Sequence, residues 1–191
     1  MDDFFYKFFW WVMIQTRRIF LRKIEFTDIV DIYEYAKKSS VAYKAGWEPH
    51  KNINDTKTFI EWIKNTNAEA FGIILKENNK LIGTIGLHKR ITSINGKNIE
   101  MDELGYVLND KYWNLGIMSE TVKAFIEYVF LIKKIKAIYC GHKLSNIASK
   151  RIIIKNGFEF SHFNTVPKLS DNESGLLKMY ILKEKNYEKG I

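Results

Sequence analysis

The sequence predicts an α+β fold in αβα layers, with a mixed, mostly antiparallel sheet of seven strands in the order β-α-α-β-β-β-α-β-α-β-β. Three observations carry this. Between Arg17 and Ile63, one alternating run precedes two segments whose apolar residues fall at helical spacing. From Ala70 to Leu108 the period shortens to two. Beyond Met118, helical and strand-like runs alternate, and the link from Val107 to a strand at Lys136 is long enough for a parallel crossover.

In chain order, Ile19 and Leu21 share one face of the first strand and Arg18, Phe20 and Arg22 the other. Thr27 offers a cap to a helix in which Ile29, Ile32, Tyr33 and Ala36 fall on one stripe. The polar run Trp47-Glu-Pro-His-Lys-Asn leads to a second helix, started near Asn54 or Asp55, with Phe59, Trp62 and Ile63 inward. AFGIILK and KLIGTIGLHKR form a hairpin through Glu77-Asn78-Asn79, and Asn95-Gly96 turns the chain into Ile99–Leu108. A helix then carries Met118, Val122, Phe125, Ile126 and Val129 on one face, and KAIYC reads as a short buried strand. Ser145 or Asn146 caps the last helix and Asn156-Gly157 ends it. Two strands, Phe158–Phe163 and Leu176–Leu182, close the chain around a polar loop containing Pro167, Asp171 and Gly175.

Apolar residues make up 46% of the 191 and charged residues 27%, a globular balance consistent with a single domain over 16–188. The net charge of +8 suits an anionic partner, but the Lys and Arg residues are scattered in pairs, which argues against a dedicated nucleic-acid site. One cysteine, Cys140, excludes an internal disulfide and fits a cytoplasmic protein. His50, His88, His142 and His162 show no metal-ligand spacing, so no metal is expected. Residues 1–15 form an apolar N-terminal extension, Phe4 to Ile14 being almost continuously apolar. Its acidic start is unlike a signal peptide, and it falls short of the ~20 residues that span a bilayer, so no transmembrane segment is expected. Packing on protein, including a homodimer contact, ranks ahead of a membrane surface for this extension.

The segment KYWNLGIMSE, residues 111–120, joins a strand to a helix through one glycine. Helix-opening amides lack intrahelical acceptors and favour anions, and Gly116 lets a phosphate approach the backbone. Taken with Glu103-Leu-Gly-Tyr106 before it, and Asn146-Ile-Ala-Ser149 and Lys155-Asn-Gly-Phe158 after it, the segment resembles the GNAT superfamily of acyl-CoA-dependent N-acetyltransferases. More narrowly, it is similar to the branch of ribosomal-protein N-terminal (alanine) acetyltransferases. The resemblance runs from about Thr16 to Tyr187.

It implies a sheet splayed between the strand ending at Leu108 and the strand at Lys136, with acetyl-CoA as co-substrate and an amine acceptor, either a protein N-terminus or a small amine. Gly116 and Met118 match the end of the superfamily's pyrophosphate loop, with Trp113 where Arg or Gln is usual. The amides of Asn114, Leu115, Gly116, Ile117 and Met118 would hold the pyrophosphate. The backbones of Tyr106, Val107 and Leu108 would pair with the pantetheine arm, Asn146 would bond that arm from the other side, and the Val107 amide would serve the oxyanion.

The reaction needs a carboxylate to take the amine proton, and Glu103 is the candidate base, with Glu100 and Asp102 as alternatives. Ser149 lies one turn beyond Asn146 and by family position would assist the leaving thiolate. The tyrosine many members use one turn later is Ile153 here. Trp47 lies where an acceptor cleft would form. Two rival classes share these features: a catalytically inactive acyl-CoA-binding sensor module, and a basic RNA- or ribosome-associated binding protein.

Overall fold

The computed structural model describes residues 14–66, 69–94, 96–171 and 173–187. The first thirteen residues of the apolar extension lie outside this set. The elements are β1 (Ile14–Gln15), β2 (Ile19–Lys23), α1 (Ile29–Ala36), α2 (Ser39–Ala45), α3 (Ile53–Asn65), β3 (Glu69–Leu75), β4 (Lys80–Ile94) and β5 (Lys97–Leu108). They continue with α4 (Ile117–Glu127), β6 (Ala137–Lys143), α5 (Ile147–Lys155), β7 (Glu159–Thr165), β8 (Leu176–Lys183) and α6 (Glu184–Tyr187).

The expected α+β layering and mixed sheet are present, and the seven anticipated strands are joined by an eighth. Strand order is β1-β2-β3-β4-β5-β6-β8-β7, antiparallel throughout except for β5 beside β6. The eighth strand is β1, which pairs with β2 and places Ile14 in the core, so the last two residues of the presumed extension belong to the sheet edge. A second departure is α2, which brings the helices ahead of the main sheet to three where two were expected. Its seven residues are too few to show a helical period, and it stops at Gly46, whose φ of +91° suits glycine.

The sheet is covered on both faces, which explains why β3 reads as an almost unbroken apolar run. Phe71 and Ile73 join one core with α4 and α5, including Val122, Phe125, Ile126 and Ile153. Ala70 and Ile74 join the other with α1 and α3, including Ile32, Tyr35 and Ile60. Period-two alternation in β5 assigns its side chains likewise: Leu104 and Leu108 join the core under α4 and α5, and Val107 joins the core under α1 to α3.

Between β5 and β6 the pairing almost fails. β4 and β5 stay in register from Gly83 opposite Leu108 to Ile94 opposite Lys97, whereas β5 meets β6 at one pair, Glu103 with Tyr139. From Leu104 onward β5 therefore has no strand partner on that side. β6 is held by seven pairs to β8. The sheet opens here, as the resemblance implied.

Candidate active site

The opening is a cavity of ≈ 360 Å³. β5 supplies Glu103, Leu104, Gly105 and Tyr106, β6 supplies Cys140 to Lys143, and α5 and its cap supply Ser149 and Asn146. The end of α2, Arg90 of β4 and the loop carrying Val166, Pro167 and Leu169 complete the wall.

Of the three acids weighed as base, only Glu103 reaches this cavity. Asp102 and Glu100 pair with Lys89, at 3.1 Å and 3.4 Å, on the other face of β5. The Glu103 side chain is 14% exposed. Burial pushes its carboxyl above the usual carboxylate range, and the neighbouring Arg90 offsets part of that. Arg90 Nε lies 2.5 Å from Glu103 Oε2, but its N–H is not directed at that oxygen, which accepts no hydrogen bond among the described residues. His88 stands opposite Glu103 in the ladder, and burial lowers the affinity of its ring for a proton.

Ser149 also lines the cavity, and it is not alone. Tyr106 Oη lies 2.9 Å from Ser149 Oγ. Sequence reasoning took Tyr106 for a backbone contact and missed this hydroxyl. The signal was available in the alternation: Tyr106 shares a face with Leu104 and Leu108, the face α5 covers. Burial holds the phenol well above its ordinary pKa, so it stays protonated. Cys140 lies in the same wall with its thiol pushed up by burial, which leaves it a poor nucleophile.

The register corrects the choice of oxyanion donor. In an antiparallel pair, opposite residues alternate between exchanging backbone bonds and not. Asn109 N–H donates to Ile82 O at 2.8 Å, one step beyond the Leu108–Gly83 pair. The odd-numbered residues of β5 therefore address β4. Val107 spends its amide there, opposite Thr84, and the amides of Tyr106 and Leu108 face the opening. Leu108 O is already taken by Trp113 Nε1 at 2.8 Å.

The loop before α4 has the backbone form the sequence suggested. Asn114 and Gly116 take φ of +61° and +75°. α4 starts at Ile117, and the first helical bond recorded there runs from Glu120 N to Gly116 O, so the amides of Ile117 and Met118 precede any intrahelical partner. No acceptor is recorded among the described residues for the amides of Asn114, Leu115 and Gly116. Arg18, in the bend just before β2, braces the loop: its Nη1 donates to Leu115 O and its Nε to Glu120 Oε2, both at 2.7 Å. Thr16 Oγ1 donates to the same carboxylate. This backbone fits a diphosphate, with no cation at position 113.

Two predicted residues are placed otherwise. Asn146 caps α5, its Oδ1 accepting from Ser149 N at 3.1 Å, while its Nδ2 donates to Lys44 O at 3.3 Å and ties α5 to α2 across the opening. A pantetheine arm would have to displace that second bond. Trp47 does not line the cavity. It packs on Phe59 at 5.9 Å between ring centres, in a row continued by Trp62 and His88. The structure thus gives Trp47 a packing place and leaves its indole N–H buried without an acceptor.

Among the described residues no group of side chains could hold a metal ion, and no helix is long and apolar enough to cross a membrane.

Residues 18–159 match the acetyltransferase (GNAT) domain family. The chain belongs to the GNAT family of N-acetyltransferases. It is 34% identical over 157 residues to YnaD of Bacillus subtilis, an uncharacterized N-acetyltransferase, covering 81% of this chain and 88% of that protein. A GNAT-family acetyltransferase structure from Bacillus anthracis superposes with a TM-score of 0.74 at 29% identity, covering 90% and 98% of the two chains. RimL, a ribosomal-protein α-N-acetyltransferase solved with coenzyme A, shares the fold, with a TM-score of 0.74 at 16% identity over 90% and 97% of the chains. Enzymes of this family move an acetyl group from acetyl-CoA to an amine.

Proposed function

We propose that this GNAT enzyme acetylates its acceptor by direct attack of the amine on acetyl-CoA seated in the β5–β6 opening, with Glu103 as the base. The observation that carries this reading is a mostly buried carboxylate, Glu103, inside the opening, in a wall that Ser149 and Tyr106 also line. The pyrophosphate lies on the amides of Asn114, Leu115, Gly116, Ile117 and Met118. The pantetheine runs along Tyr106, Val107 and Leu108, meeting the amides of Tyr106 and Leu108, with Asn146 on the far side.

A primary amine at neutral pH is mostly protonated, so it must lose a proton before attack. Glu103 takes it, directly or through a water. The amine nitrogen then bonds the thioester carbon, the developing oxyanion is met by the Tyr106 amide, and the C–S bond breaks with its electron pair on sulfur. The bonded nitrogen sheds its second proton as the C–S bond breaks, and Ser149 Oγ passes a proton on to the sulfur in exchange, while the Tyr106 phenol keeps its own proton and orients the Ser149 hydroxyl. A thiol is acidic enough to leave without full protonation, so this help is modest. Cys140 forms no acyl-enzyme in this scheme.

A protein N-terminal α-amine is one acceptor that fits the resembled branch. The cofactor reading is tested by heat denaturation with ligands. Acetyl-CoA should raise the melting temperature well beyond adenosine diphosphate at equal concentration. Equal shifts would remove the pantetheine half of the assignment.

A further inference from the structure

Arg90 stands on the acceptor side of Glu103, ion-paired to it through Nε and with its Nη donors uncommitted. It projects from β4 opposite Met101, lines the cavity, and is 44% exposed. Among the described residues Glu103 is its one ion-pair partner, met at Nε without an aligned hydrogen bond, which leaves the Nη donors uncommitted. A guanidinium offers its donors as a rigid planar fork that matches a carboxylate through two parallel bonds. A fork left open in a cavity wall, beside the proposed base, is placed for an anion on the acceptor.

The surrounding charges point the same way. Lys44 and Arg90 line the cavity against one carboxylate, Glu103, and a third lining cation, Lys143, is neutralised by acids at the border. The acids at its border are engaged elsewhere. Lys143 Nζ lies 2.6 Å from Asp171 and 3.4 Å from Glu173, and Glu48 accepts from Ser170 N and Oγ at 2.7 Å and 2.8 Å. A polyamine would bring several positive charges to a wall with no carboxylate to spare beyond the base.

We propose that the acceptor is an amino acid: an amine with a carboxylate within a few bonds of its nitrogen, held by Arg90 while Glu103 takes the amine proton. This rests on the acetyl-transfer reading and on Glu103 as base. It adds a consequence for the base. As the substrate carboxylate takes up the fork, Glu103 loses part of the positive charge that favours its ionised form and accepts the proton more readily.

The experiment measures thiol release from acetyl-CoA with the full chain, over the common amino acids, each amino acid's carboxamide, a tripeptide and spermidine. For the best amino acid, kcat/KM should exceed that of its carboxamide by about 10- to 100-fold, the scale of a charged hydrogen-bond pair. Arg90→Gln, which also takes a positive charge from Glu103 and so slows every acceptor, should bring that ratio close to one by losing much more rate on the acid than on the amide, and Arg90→Lys should keep only part of the ratio. Circular dichroism melting of both variants checks that they fold. Equal use of acid and amide by the native protein, preference for spermidine or the tripeptide, or equal loss on acid and amide in Arg90→Gln would overturn the inference while leaving acetyl transfer intact. No thiol release with any amine, in protein that acetyl-CoA stabilises, would instead sink the transfer reading and this inference with it.

Discussion

The two halves of the opening are built from different materials. The cofactor half is made of backbone: two left-handed residues, a helix start and a strand edge without a partner, braced from below by Arg18. The acceptor half is made of side chains brought together from distant parts of the chain, namely Arg90, Glu103, Lys143 with Asp171, and Ser170 with Glu48. The first can tolerate most side-chain changes and few backbone ones. The second should behave the other way round, and substitutions can pull the halves apart.

The largest effect belongs to the acceptor half. Glu103→Gln keeps the shape and removes the proton acceptor, so kcat should fall by about 10²- to 10⁴-fold in a thiol-release assay. In the native protein kcat/KM should rise with pH as Glu103 ionises, and Glu103→Gln should flatten that limb. Gly116→Val is the counterpart in the cofactor half. A branched side chain at φ +75° costs about 1–2 kcal/mol, which should appear as a KM for acetyl-CoA raised about 10-fold with kcat nearly preserved.

Gly175→Ala probes the loop over the acceptor side, where an added Cβ would lie 1.9 Å from Val166 O. Overpacking there should lower stability by ~1–3 kcal/mol in urea denaturation and raise KM for the amine, leaving acetyl-CoA binding alone. A smaller change is expected from Tyr106→Phe, which removes one hydroxyl bond: kcat falls about 2- to 10-fold, and an acetyl donor with a more acidic thiol should recover most of the loss.

The smallest effect has the opposite sign. Buried Glu103 holds its proton to higher pH in the folded protein than in the unfolded chain, so the folded state binds more protons across that window. Stability from this group is present at low pH and is lost as pH rises through the folded pKa. Glu103→Gln should therefore melt slightly above the native protein at pH 8, and the gap should close on acidification toward the ordinary carboxylate range. A variant that is less stable at pH 8 would mean that the Arg90 ion pair outweighs the burial of the charge.

What could be read from the sequence follows the same division. The αβα layering, the crossover and the glycine loop are local patterns: a short apolar run in β3, alternation in β5, a helical stripe from Met118 to Val129, and Gly116 at a helix start. These survive folding because backbone geometry is set by neighbours in sequence. Helix α2 escaped because seven residues show no period, and β1 because two residues pair only when β2 is already in place. On the acceptor side, Glu103 was legible from its neighbours in β5. Arg90 was not, since it reaches Glu103 only through the β4–β5 register. Trp47 was misplaced for the same reason: its position in a loop is local, but its packing on Phe59 depends on how α3 is set against the sheet. The Val107 amide was ruled out by strand parity, which no local pattern reveals.

Calorimetric titration of acetyl-CoA into Glu103→Gln, beside the native protein, tests the division most directly. A backbone-built cofactor half predicts dissociation constants within about twofold of each other, even though turnover has collapsed. A loss of affinity of tenfold or more in the variant would contradict the account, because base and cradle would then be one structure and not two.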